Sequence, residues 1–190
     1  MDLGFNEEQE MLKKIARDFL EKECPKTLVR EMEEDEKGFS PELWRKMAGL
    51  GWMGLVFPEK YGGTEGSFLD LTVLLEEMGR ALAPGPFFST VVLCGLPLLN
   101  FGSEEQKQEF LPKIAAGEII CSLALTEPSA SYDASGVSVK AVSDKDDYVI
   151  NGTKLFIPDA HVADYLLCVT KTREAENTEE GITLFLVDGK

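Results

Sequence analysis

The sequence is short of positive charge, of histidine and of paired cysteines. Its 190 residues carry 19 lysines and arginines against 34 aspartates and glutamates, a net charge of −15. So acidic a chain has no general attraction for a polyanion, and nucleic acid is not an expected partner. There is one histidine, His161, and the four cysteines at 24, 94, 121 and 168 include no CxxC spacing. A Cys/His metal site is therefore not expected. A single histidine also gives little basis for a Ser-His-Asp triad. No GxGxxG or phosphate-cradling glycine loop occurs. The opening MDLGFNEEQE is acidic and polar where a signal peptide would be apolar. That predicts an intracellular, cytoplasmic protein without a disulfide framework. One stretch has no charge at all, the 23 residues from Ala81 to Ser103, which is membrane length. Pro84, Pro86 and Pro97, with Gly85, Gly95 and Asn100, argue for a buried helix there and against a membrane span.

What is present divides into two grammars. An apolar content of 44% is enough for a packed core in one domain or two small ones. The first 117 residues read as helices. Asn6 with Gln9, Ser67 with Asp70 and Ser103 with Gln106 have the spacing of capping boxes, and Ser40-Pro41 is a cap followed by proline at the first helical position. Met11/Leu12, Ile15/Ala16 and Phe19/Leu20 repeat every four residues; Leu43, Trp44, Met47 and Leu50 mark a second buried face; Leu71, Leu74, Leu75, Met78 and Leu82 mark a third. Glu31 to Lys37 reads as solvated, and Pro112 is expected to stop its helix a turn early. From Glu118 the pattern turns to strands: Ile119 to Leu125, the alternation Val137, Val139, Ala141, then Tyr148 to Ile150, Lys154 to Ile157, Tyr165 to Thr170 and Ile182 to Val187. Asn151-Gly152 is the hairpin signal between two of these runs, which also accounts for the formal glycosylation acceptor Asn151-Gly152-Thr153. The expected fold is thus α+β in two domains: an all-α helical domain over 1–117, then an antiparallel β-barrel or sandwich over 118–190. The sheet breaks off after an apolar strand, so a cut chain or cover from another chain is expected.

The segment Leu123-Ala124-Leu125-Thr126-Glu127-Pro128-Ser129-Ala130-Ser131-Tyr132-Asp133 carries the chemical interest. A buried strand runs out into small polar residues, and such an exit can offer amides and hydroxyls to an anion or a heteroaromatic edge. A plain strand-to-loop exit, with proline as the stop, is the alternative reading. The segment resembles the TEPxxGSD stretch of flavin-dependent acyl-CoA dehydrogenases. Three other stretches extend the resemblance in order: Gly51-Trp52-Met53-Gly54-Leu55-Val56-Phe57-Pro58-Glu59-Lys60-Tyr61-Gly62-Gly63, then Gly102-Ser103-Glu104-Glu105-Gln106-Lys107 through Phe110-Leu111-Pro112 to Gly117-Glu118, and Tyr148-Val149-Ile150-Asn151-Gly152-Thr153-Lys154.

The resemblance implies FAD as cofactor, an acyl-CoA thioester as substrate of an α,β-dehydrogenation, an electron-transfer protein as partner, and a homo- or hetero-oligomer. It implies a further C-terminal helical domain, absent here, that carries the catalytic glutamate. No catalytic residue is therefore assigned in this chain, and as it stands it is expected to be inactive. The cofactor-binding positions carried over are Leu123, Leu125, Thr126, Tyr132, Phe156 and Pro158. Ser89, Thr90, Leu93 and again Tyr132 are the substrate-binding ones; no metal ligand is assigned. The chain departs from the family at Ser129, Ser131 and Tyr132, and at Pro158, which stands where a threonine would face flavin N5. Proline has neither hydroxyl nor N–H, and a lost donor at a developing charge costs on the order of 3 kcal/mol. A flavin-degenerate structural or binding subunit of a heteromeric acyl-CoA dehydrogenase is the second reading.

Overall fold

The structure, a computed structural model, describes residues 4–189 and divides into two units. One is built from residues up to 87 with 95–118, the other from 88–94 with 119 onward.

The first unit is helical: α1 (Glu7–Glu23), α2 (Lys26–Glu34), α3 (Pro41–Gly49), α4 (Phe68–Ala81), α5 (Leu96–Phe101) and α6 (Glu104–Ala115). All three capping boxes form, at Asn6, Ser67 and Ser103, and Ser40 accepts from the Leu43 amide. Each satisfies amides that a helix start leaves without partners. The charged 31–37 stretch is solvated as expected, every charged residue in it being exposed, although α2 runs through it to Glu34 and buries Met32. Three details differ from the sequence reading. Pro112 does not shorten α6, which continues to Ala115; the proline withholds only its own N–H, and its carbonyl still accepts from Ala116. In α1 the buried side chains are Gln9, Ala16 and Leu20, while Met11 and Ile15 are exposed. Leu50 and Leu82 are also exposed, because each caps a helix end where the chain turns away.

α1 and α4 lie side by side and are joined by polar links. Gln9 donates to Asp70, and Lys13 pairs with Glu76 at 3.0 Å. Glu77 is fully buried and receives Arg17 through two nitrogens at 2.7 and 3.0 Å and Arg80 Nε at 2.8 Å. The Arg17 hydrogen bond is the main force holding its carboxyl at about 2; burial opposes it and Arg80 adds to it. Between α3 and α4 the chain makes two one-turn 3₁₀ helices and a tight glycine turn, burying Trp52, Met53, Phe57 and Tyr61. Gly63 is required there, since a Cβ on it would lie 1.9 Å from the Phe57 carbonyl oxygen.

The uncharged 81–103 stretch is not one helix. Leu82 closes α4 in the left-handed region, Phe88–Gly95 is a π-helix, and α5 follows. Among the described residues no helix is long and apolar enough to cross a membrane.

The second unit holds a five-stranded sheet: β1 (Cys121–Ala124), β2 (Lys140–Asp144), β3 (Asp147–Asn151), β4 (Tyr165–Lys171) and β5 (Ile182–Asp188). It is mixed, which corrects the antiparallel expectation. β2 with β3 and β4 with β5 are antiparallel, but β1 runs parallel to β4, and β2 meets the end of β4 in parallel at Lys140–Lys171. Parallel neighbours need a long crossover. The segment from Pro128 to Asp164, which contains the β2–β3 hairpin, supplies it for β1 and β4. β4 is central: β5 lies along its whole length, while β1 and then β2 share its other edge.

The hairpin turn also moves. Asp144 pairs with Asp147, so the turn is Lys145-Asp146, with Lys145 at φ 59°. Asn151-Gly152 instead ends β3, and 154–157 form no strand, because the Leu155 amide bonds the Thr126 carbonyl at 2.8 Å. Gly152 answers to a close approach: a Cβ there would lie 2.5 Å from Val139 Cγ2.

Candidate functional site

The predicted residues all belong to the sheet unit, and most come together where β1 ends. Three hydrogen bonds lay segment 154–158 along the strand and its exit. Ser122 Oγ donates to the Pro158 carbonyl at 2.5 Å, the Leu155 amide to the Thr126 carbonyl at 2.8 Å, and Lys154 Nζ to the Leu125 carbonyl at 3.1 Å. Leu123, Leu125 and Thr126 thereby share a neighbourhood with Phe156 and Pro158. The first three are half-buried. Phe156 is 89% exposed on a backbone at φ 51°, a conformation that an aromatic residue adopts only when held there. Among the described residues the Thr126 hydroxyl makes no hydrogen bond.

The π-helical turns join the same neighbourhood. Ser89 is buried and donates to the Asp159 carboxylate; Asp159 is itself in the left-handed region. Thr90 is fully buried, and its hydroxyl serves the Cys121 peptide twice, accepting from N–H and donating to C=O at 3.1 Å each. Both hydroxyls are thus engaged within the unit, and of the three predicted substrate positions in these turns only Leu93 is not fully buried. Tyr132 sits apart. It is 76% exposed, on a loop held by the Ser129 and Ser131 hydroxyls. A surface cleft of about 350 Å3, lined by Lys140, Val142, Tyr148, Lys171 and Arg173 among others, includes none of the predicted residues.

Sequence reasoning missed the group beneath this neighbourhood. Glu127 is 2% exposed. Its carboxylate accepts from the Ser138 amide at 2.8 Å, the Ser138 hydroxyl, the Val139 amide at 3.1 Å and Lys154 Nζ at 2.7 Å. Burial pushes this carboxyl up, but Lys154, Ser138 and the two amides outweigh it and hold it at about 2. Both ends were quoted in motifs, Glu127 before its proline and Lys154 after Asn-Gly-Thr. Nothing in the spacing shows that they pair across 27 residues.

Neither a metal centre nor an activated thiol stands out. Among the described residues no group of three His, Cys, Asp or Glu is placed to hold an ion. The Cys121 thiol is pushed up by its hydrogen bond with Cys94 and by burial, and burial pushes up Cys24 and Cys168. Such thiols are poor nucleophiles.

Residues 6–118 match the acyl-CoA dehydrogenase N-terminal domain, and residues 122–190 match the acyl-CoA dehydrogenase middle domain. The chain belongs to the acyl-CoA dehydrogenase family. It is 38% identical over 188 residues to the caffeyl-CoA reductase-Etf complex subunit CarC of Acetobacterium woodii, covering 98% of this chain and 49% of that one. An acyl-CoA dehydrogenase from Geobacillus kaustophilus superposes with a TM-score of 0.85 at 33% identity, over 99% of this chain and 50% of the other. The ChsE4-ChsE5 complex from Mycobacterium tuberculosis contains a chain that superposes equally well, at 0.85 and 28% identity, over 99% and 49%. The chain spans about half the length of the curated relatives it matches. The helical domain followed by a sheet domain is the arrangement the family resemblance implied, with the sheet mixed.

Proposed function

We propose that this chain is the first half of a FAD-dependent acyl-CoA dehydrogenase subunit whose complete form carries out the α,β-dehydrogenation of an acyl-CoA thioester. Residues 1–117 and 118–190 would act as its helical and sheet domains. The observation that carries the reading is the ledge at the end of β1. Leu123, Leu125 and Phe156 offer an apolar and aromatic surface, and Thr126 adds a hydroxyl without a partner among the described residues. That donor set fits a flat heteroaromatic ring with one polar edge. When bound, flavin supplies the electron sink that accepts a hydride. The chain's part is to hold and orient it: Leu123, Leu125 and Phe156 by apolar contact, Thr126 by donating to the polar edge. Tyr132 is positioned on an exposed loop and would meet the pyrophosphate or the acyl-CoA. Leu93, with Ser89 and Thr90 fixed behind it, would shape the acyl side. No general base is assigned in this half, so alone it would bind and orient and would not turn over. An electron-transfer protein would reoxidise the whole enzyme, a role that the Etf complex in the relative's name supports. The compartment expected is cytoplasmic, and fractionation of the source cells tests it.

A second reading rests on Pro158. It is exposed, has no N–H or hydroxyl to offer, and has its carbonyl engaged by Ser122. A ledge poorer by one donor favours a flavin-degenerate subunit that completes a partner enzyme. Flavin stoichiometry in the full-length protein, purified with whatever accompanies it, separates the two. About one FAD per chain, bleached by an acyl-CoA, supports the first reading. Flavin confined to a different, co-purifying subunit supports the second. A protein and complex without flavin, inert to every acyl-CoA, would sink both.

A further inference from the structure

The ledge is made from two segments far apart in sequence, and the structure shows what sets the distance between them. Leu125 and Thr126 leave β1 immediately before Glu127; Leu155 and Phe156 follow immediately after Lys154. The Lys154 ammonium reaches two partners at once, the Glu127 carboxylate at 2.7 Å and the Leu125 carbonyl at 3.1 Å. The other side of the same carboxylate takes Ser138 and Val139, the residues that lead into β2. Three stretches of chain therefore converge on one buried group. Both side chains are withdrawn from water, 9% exposed for Lys154 and 2% for Glu127. A core built for stability alone has little use for such a pair, because desolvation cancels most of the attraction. What a buried pair with filled coordination does give is a fixed geometry. Among the described residues the one backbone-to-backbone hydrogen bond between the two segments is Leu155 N–H to Thr126 C=O, at 2.8 Å, one residue after Lys154 and one before Glu127.

We propose that Glu127 and Lys154 are positioning residues for the flavin ledge: their ion pair fixes Thr126 and Phe156 at the separation that a bound isoalloxazine ring requires. Neither side chain is assigned a contact with the ring. This inference rests on the reading above that the complete protein binds FAD.

The test uses the full-length protein and FAD itself as the probe. Lys154→Met keeps the apolar stem and removes the charge. Glu127→Gln keeps the shape and one acceptor oxygen. The double variant removes both charges, so neither is left buried without a partner. Lys154→Arg keeps the charge and serves as the conservative control. The expected result has three parts. Each neutral single variant weakens FAD binding at least about tenfold and shifts the visible flavin spectrum. The double variant regains much of the lost melting temperature but not the affinity or the spectrum. Lys154→Arg lies closest to the parent. If a single variant fails to fold, the double variant carries the same readouts. Folded neutral variants that bind FAD within twofold of the parent, with an unchanged spectrum, would overturn the positioning role and leave only a structural one. Parent protein that binds no FAD overturns the function proposed above, and with it the inference; the two failures are told apart by the parent measurement alone.

Discussion

Two buried carboxylates, one in each unit, are held at the same value of about 2 by different means. In the helical unit Glu77 is held by side chains. Arg17 comes from the neighbouring helix and Arg80 from one turn on, and both reach in from the surface, 43% and 42% exposed. In the sheet unit Glu127 is held by two backbone amides, a hydroxyl and a lysine that is itself buried. The difference follows from the scaffold. A helix uses its own amides internally, so only side chains are left to neutralise a charge between two helices. A strand exit has amides to spare and spends them on the carboxylate. Removing Arg17 leaves Glu77 its second cation, Arg80. Removing Lys154 leaves Glu127 its amides and hydroxyl but no counter-ion. The first arrangement staples two helices together; the second sets the spacing of a candidate site.

Several substitutions in the full-length protein sharpen or break that contrast. The largest effect is expected where the backbone itself leaves no room. Gly63→Ala puts a Cβ 1.9 Å from a carbonyl oxygen, and denaturant unfolding should show a loss of about 3 kcal/mol or more in the helical unit. Gly152→Ala in the sheet unit first meets a side chain, Val139, with Cγ2 at 2.5 Å and Cβ at 3.2 Å, where Gly63→Ala meets backbone; about 1 kcal/mol is expected. Equal losses at the two glycines would remove the distinction between backbone and side-chain crowding.

Next comes the pair itself. Lys154→Met should cost about 3 kcal/mol by the same measurement, since it leaves a buried carboxylate without its counter-ion. Arg17→Met should shift the unfolding midpoint less, because Glu77 keeps Arg80. An Arg17 variant as damaged as the Lys154 variant would mean that the exposed arginines matter as much as the buried lysine. Thr90→Val removes both bonds to the Cys121 peptide while keeping the shape, and about 2 kcal/mol is expected.

The smallest effect concerns acid and salt. Both carboxyls lie below the ordinary 4.5 when folded, so the stability they give is complete above about 4.5 and is lost as pH falls towards about 2. Residue-resolved NMR titration should show both at the low end. Added salt should raise Glu77 more than Glu127, because its arginines are open to solvent and Lys154 is not. A larger salt response at Glu127 would contradict its burial.

Local signals in the sequence were legible because their causes are local. The capping boxes at Asn6, Ser67 and Ser103 formed, since a side chain three residues from an amide is within reach whatever the rest of the chain does. The ordered motifs pointed to the family, and the family domains match along the chain. The turn at Lys145-Asp146 was not legible, because Asn151-Gly152 is the stronger local signal, and only the pairing of Leu155 with Thr126 removes its second strand. Pro112 likewise looked like a stop and is a helix interior, where the bonds on its C-terminal side persist.

The sequence by itself determined the helix starts, the change from helical to strand period near residue 117, the acidic surface, and the strand-exit segment that carries Thr126. These depend on neighbours a few residues apart. Only the tertiary structure decided that β1 and β4 run parallel, that Ser89 and Thr90 turn their hydroxyls to Asp159 and Cys121, and that Glu127 meets Lys154. Each of those depends on a choice of partner tens of residues away. Hydrogen bonding in a dry interior makes that choice, because every buried polar group must find a partner and the chain has few arrangements that supply one to all of them.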